Sequence, residues 1–172
     1  VAVGLWSMWA ERHPQQERHL RSQLQDLLET QFPLAMQPSG NGYGIIQRVA
    51  VVVPGHRPGV LLVHGLDEPG GIWDDLLLVL AAAGFDTWEF RYPNDQGIDS
   101  SADLLASSWS NLPASRRLVL IGHSMGGLVI RDFVSRWLHP VAFAPGVAGA
   151  PVCGAILVGT PNRGSDLARL RV

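Results

Sequence analysis

The sequence has no lysine and only one cysteine among its 172 residues. All thirteen basic residues are arginine, which together with abundant Ala, Gly and Leu points to a GC-rich coding bias rather than to a function. With Cys153 as the sole thiol, no internal disulfide can form, and the redox compartment is left open. The six histidines are scattered and no Cys/His cluster has metal-ligand spacing, so neither a metal nor a cofactor is expected. Charge is sparse as well. A charged fraction of 16% and a net charge of -2 give no electrostatic footing for nucleic acid. No apolar run reaches the roughly twenty residues that a bilayer-crossing helix needs. The opening VAVGLWSMWA is too short to span. It reads either as the end of a signal or anchor segment, which would bring membrane association, or as an ordinary buried segment. Localisation stays open between cytoplasm and membrane surface, and oligomeric state is unread.

What is present suffices for one hydrophobic core, with 47% apolar residues over this length. Pro14 suits a helix start, and Leu20, Leu24, Leu27 and Leu28 recur at helical spacing, so an amphipathic helix is expected there. PLAMQPSGNGYG, residues 33–44, reads as a linker, and its Gly40, Gly42 and Gly44 lack dinucleotide-binding spacing. Residues 1–44 are therefore assigned to a helix and linker, and residues 45–172 to the folded core. In that core IIQRVAVVV, VLLV, TWEF, RLVLIG and GAILVGTP read as strands, with AVVV pairing antiparallel to its neighbour. Helices are expected from Ile72 to Gly84, buried throughout; over DSSADLLASSWSNL, capped by Asp99 or Ser100; and from Met125 to Leu138. Short apolar strands alternating with helices give an α/β fold, a mostly parallel central sheet with helices on both faces.

One junction stands out. LVLI runs into Gly122-His123-Ser124-Met125-Gly126-Gly127, and a helical pattern follows at once. A chain reversing sharply at Ser124 would hold it at positive φ, strained for a residue with a Cβ. Gly122 and Gly126 are then expected to meet, which only the smallest side chains allow. In return the hydroxyl stands clear at the carboxyl end of the sheet. It lies beside helix N-terminal N–H groups suited to a developing oxyanion.

Two further stretches turn the motif into a resemblance. VLLVHGLDEPGGIWDDL, residues 60–76, resembles the strand, His-Gly turn and helix that precede the nucleophile in α/β-hydrolases. GAILVGTPNRGSDLA, residues 154–168, resembles the Gly-Thr-Pro-x-x-Gly-Ser stretch of bacterial lipases and esterases. With the elbow between them in the family's order, Val51 to Ala168 resembles an α/β-hydrolase of the lipase/esterase type. The resemblance implies a serine hydrolase acting on a small-molecule or lipid carboxylic ester. It makes Ser124 the nucleophile and puts the backbone N–H of Met125 in the oxyanion hole. The second donor would come from the turn after Gly65, at Leu66 in preference to Asp67. His64 would brace that turn, and His123 is likewise read as structural.

A serine hydroxyl needs a base, and the base needs an orienting carboxylate, both later in the chain in this family. The only later histidine, His139, ends the helix that the elbow starts, on the order of 20 Å away at 1.5 Å per residue. Asp132 lies inside that helix, while Asp166 after GTPNRGS and Asp95 in YPNDQ are read as solvated loop acids, with a place near the site as their other reading. The catalytic Asp and His are expected beyond residue 172. The chain then ends just past the sixth strand of the family's scheme, and residues 1–172 alone are expected to be inactive. Trp73, Leu76 and Leu77 are read as core, with lining of an acyl pocket as their other reading. Two other functions stay open: a non-catalytic α/β-hydrolase-fold binding module, and thioesterase or acyltransferase chemistry on the same elbow.

Overall fold

A computed structural model describes residues 42–51, 57–66, 71–93, 96–139 and 146–164, with isolated positions 9, 12, 13 and 16 before them. The chain divides into two compact units, residues 1–42 with 163–172, and residues 43–162. Apart from those isolated positions, the helix expected after Pro14, most of the linker and the apolar opening segment lie outside the described residues. No described helix is long and apolar enough to cross a membrane.

The unit 43–162 is built on one sheet with strand order β1-β3-β2-β4-β5. The strands are β1 (Gly44–Val49), β2 (Gly59–Val63), β3 (Thr87–Arg91), β4 (Leu118–His123) and β5 (Val152–Val158). Helix α1 (Asp74–Ala82) links β2 to β3, and α2 (Ile98–Ser108) lies between β3 and β4. Helix α3 (Met125–Phe133) follows β4 directly and runs on as a π-helical turn to Leu138. Pairing is parallel from β3 through β2 and β4 to β5, and antiparallel only between β1 and β3. The class is therefore α/β, as the alternation of apolar strands and helices implies.

Strand alternation sorts the core into two layers. Leu61, Val63, Trp88, Phe90, Leu118 and Leu120 face α2 and α3, where they meet Leu105, Trp109, Val129, Ile130 and Phe133. Val60, Leu62 and Ile121 face the opposite way, onto Trp73 at the start of α1 and Leu77 within it. Because β2 is flanked on both edges and both faces, all five of its residues are buried. That is why VLLV is apolar without alternation. Trp73 and Leu77 thus belong to the core, and Leu76 packs half-buried against it.

Several local expectations are corrected. The antiparallel strand is GIIQRV, not AVVV. Val51 leaves the ladder to donate its N–H to Asp86 Oδ1 at 2.7 Å, and residues 52–53 lie outside the described residues. The pairing is anchored by charge. Glu89, only 2% exposed in the middle of β3, is ion-paired with Arg48 of β1 and with Arg91 at 3.4 Å. A carboxylate buried there without partners would be costly. Helix α1 is not buried throughout, since Leu78 and Val79 are 72% and 63% exposed. It covers the sheet along one side only. The N-cap of α2 is Gly97 rather than Asp99 or Ser100. Asp99 instead lies within the first turn and accepts the neighbouring Ser100 N–H at 2.9 Å.

Candidate active site

Parallel strands end at a common edge, and three junctions meet there: β2 into His64-Gly65, β3 into Tyr92, and β4 into Ser124. Such a carboxyl edge is where open α/β sheets place their ligands.

Ser124 has φ 52° and ψ -122°, the only non-glycine residue at positive φ among the described residues. Its backbone is pinned on both sides. The Ser124 N–H donates to Val158 O at 2.8 Å, and its carbonyl accepts the Gly127 N–H at 3.2 Å. As the N-cap of α3, a serine ordinarily turns its oxygen onto the helix's free N–H groups. Here no side-chain capping bond forms, and the hydroxyl makes no hydrogen bond with any described residue. Positive φ has rotated it away from the helix it begins. The N–H groups of Met125 and Gly126 fall in the first turn, where helix geometry provides no intrahelical acceptor.

The glycines around it are required by contact, though not in the pairing expected. A Cβ on Gly122 would stand 2.7 Å from Gly127 Cα and 2.8 Å from Ile130 Cδ1, so Gly122 meets Gly127 rather than Gly126. Gly126 is turned instead onto the end of β2, where a Cβ would collide with the carbonyl oxygens of Val63 and His64. The reason is the azimuth of α3: successive helical residues differ by about 100°, so only one of two adjacent glycines can face β4. Gly65 completes the cleft. A Cβ on it would lie 2.8 Å from Ser124 Cβ, which puts the turn after β2 directly against the serine. Leu66 follows in that turn, half-buried.

His64 is 9% exposed, and its ring is committed to the turn. Nδ1–H donates to Gly65 O at 2.9 Å, and the ring stacks on Tyr92 with centroids 4.4 Å apart. The Tyr92 hydroxyl donates to His64 O at 2.7 Å. Sequence reading did not single out Tyr92. The available signal was its place two residues beyond Phe90 on the same face of the strand. It also missed Thr160, whose buried hydroxyl packs on Gly127 with no hydrogen-bond partner. His123 is half-buried at the last position of β4.

Among the described residues no imidazole bonds the Ser124 hydroxyl, and the acid inside α3 is committed to another partner. Asp132 accepts from Arg136 Nε at 2.8 Å. That bond, with Asp103 alongside, drives the Arg136 pKa further above its already high value. His139 is exposed beyond the π-helical turn, fifteen positions along the chain from Ser124. Asp67, Asp95 and Asp166 lie outside the described residues. Among the described residues, no group of three or more His, Cys, Asp or Glu could hold a metal ion.

A family model described as the alpha/beta hydrolase family matches residues 60–171. The chain belongs to the alpha/beta hydrolase family. Among solved structures it is similar to the mature form of the Bacillus licheniformis lipase BlEst2, with a TM-score of 0.63 and 23% identity. That match covers 76% of this chain and 52% of the lipase, so the chain spans about half the lipase's length. The propeptide form of the same lipase gives a TM-score of 0.61 and 24% identity over 75% of this chain and 28% of that one. At such identity the likeness establishes the shared fold. No curated protein matches the sequence.

Proposed function

We propose that this member of the alpha/beta hydrolase family is a serine hydrolase that cleaves carboxylic esters, with Ser124 as nucleophile. One observation carries the reading: a strained serine at the strand–helix junction whose hydroxyl neither caps α3 nor bonds any described residue. A protein that only bound ligands would have no use for that strain, which favours catalysis over the binding-module alternative. The resemblance of GHSMGG and GTPNRGS to lipase and esterase motifs, and the lipase fold relative, support an ester as substrate.

In this reading Ser124 Oγ attacks the ester carbonyl, and the carbonyl oxygen becomes an oxyanion. The backbone N–H groups of Met125 and Leu66 receive that charge, one from the start of α3 and one from the turn after Gly65. A general base takes the serine proton and then hands it to the departing alkoxide, leaving an acyl-serine that water hydrolyses. That imidazole and its carboxylate are expected beyond residue 172.

The test is turnover of p-nitrophenyl esters of graded acyl length by the purified full-length protein. Hydrolysis that disappears in Ser124→Ala while the variant remains folded is the expected result. Equal rates in both proteins would contradict the assignment. Preference for a thioester over the matched oxygen ester would shift the reading to thioesterase chemistry.

A further inference from the structure

The two peptide units that follow β2 are each tied down, and one tyrosine acts on both. Tyr92, 3% exposed just past β3, donates its hydroxyl to the His64 carbonyl at 2.7 Å. Its ring lies between two others, stacked on the His64 imidazole at 4.4 Å and 16° and on Phe90 at 5.0 Å and 13°. The imidazole so held donates from Nδ1 to the Gly65 carbonyl at 2.9 Å. In a trans peptide the N–H points opposite to the C=O, so fixing a carbonyl aims the next residue's N–H. The Tyr92 hydroxyl therefore sets the direction of the Gly65 N–H. The His64 ring, kept in its plane by Tyr92, sets that of the Leu66 N–H.

We propose that Tyr92 is the positioning residue of the oxyanion hole. It holds the His64–Gly65–Leu66 backbone so that the Leu66 N–H faces the oxyanion formed at Ser124. The inference rests on the serine-hydrolase reading and adds to it a residue that acts through the backbone of the turn after β2. The tolerance is small. Gly65 is already in contact with Ser124, its would-be Cβ 2.8 Å from Ser124 Cβ, so a turn that loosens has only the direction away from the serine. An oxyanion donor must stand within about 2.7–3.1 Å of the developing charge, and drifting out of that range removes its effect in the transition state. The ground state, in which the ester carbonyl carries little charge, hardly registers the change.

The experiment uses the purified full-length protein, with Tyr92→Phe, Tyr92→Leu and Ser124→Ala, a p-nitrophenyl ester and a trifluoromethyl ketone inhibitor. Phe keeps the stacked ring and loses the hydroxyl; Leu loses both. Tyr92→Phe is expected to lower kcat about tenfold with KM within about twofold, since outright loss of one oxyanion donor costs on the order of 100-fold or more. Tyr92→Leu is expected to fall further. Affinity for the trifluoromethyl ketone, whose adduct carries the oxyanion, should weaken in step with kcat. A role confined to folding would lower the melting temperature and leave both the kcat-to-KM split and the inhibitor affinity of the folded protein unchanged. Unchanged kcat in Tyr92→Phe, while Ser124→Ala is inactive, overturns the positioning role and leaves the hydrolase reading standing. Wild-type turnover no greater than that of Ser124→Ala removes the hydrolase reading and this role with it. A crystal structure of Tyr92→Phe with an unmoved His64–Gly65–Leu66 backbone would independently refute the claim.

Discussion

Ser124 is held at φ 52° and ψ -122° without capping α3 and without a hydrogen bond to any described residue. A side chain in such a region costs roughly 1–3 kcal/mol, and no bond to a described residue offsets it. Glycine accepts positive φ freely but loses more chain entropy on folding, about 0.5–1 kcal/mol. Ser124→Gly is therefore expected to be about 1 kcal/mol more stable than wild type in urea denaturation, and to lose ester hydrolysis entirely. A variant less stable than wild type would show that the serine is not strained. Much of this residue-scale picture was legible in the sequence, because Gly-x-Ser-x-Gly between a strand and a helix is a local pattern with a steric cause. The partner of Gly122 was not. Which of Gly126 and Gly127 faces β4 depends on how α3 is rotated, and contacts with β2 and Thr160, distant in the chain, decide that. Tyr92 was hidden for a similar reason, since the carbonyl it holds lies 28 residues earlier.

Among the elements, β2 and β4 were readable because strands enclosed on both faces must be apolar throughout. β1 was misplaced toward AVVV, the more apolar run. The observed register depends on Arg48 reaching Glu89 and on Val51 being drawn off to Asp86, partners invisible to local pattern. α1 misled in the same way, its uniform apolarity suggesting burial that Leu78 and Val79 do not have. β5 pairs with β4 along one side, and along the other it meets no strand among the described residues. Ile156, Leu157 and Val158 are 51%, 37% and 47% exposed. A bare apolar edge is a template for pairing with another chain. A polypeptide of residues 1–172 is accordingly expected to self-associate in size-exclusion chromatography with light scattering, and Ile156→Lys to shift it toward monomer. A monodisperse monomer without the substitution would show that this edge is protected.

At the scale of the whole molecule, the fold brings the turn after β2 and the start of α3 to one serine, but no described base to its hydroxyl. Removing triad partners leaves only oxyanion-hole assistance and costs on the order of 10^4-fold or more in kcat. Residues 1–172 alone should thus turn over p-nitrophenyl esters at least several thousandfold more slowly than the full-length protein. Comparable rates would mean that a histidine read here as structural, His64 or His123, serves as the base. Everything proposed here depends on the nucleophile, and fluorophosphonate labelling of the full-length protein followed by peptide mass spectrometry reads that residue alone. One covalent adduct per chain is expected, on Ser124, absent from Ser124→Ala. Labelling at another residue, or none in a folded protein, would contradict the assignment.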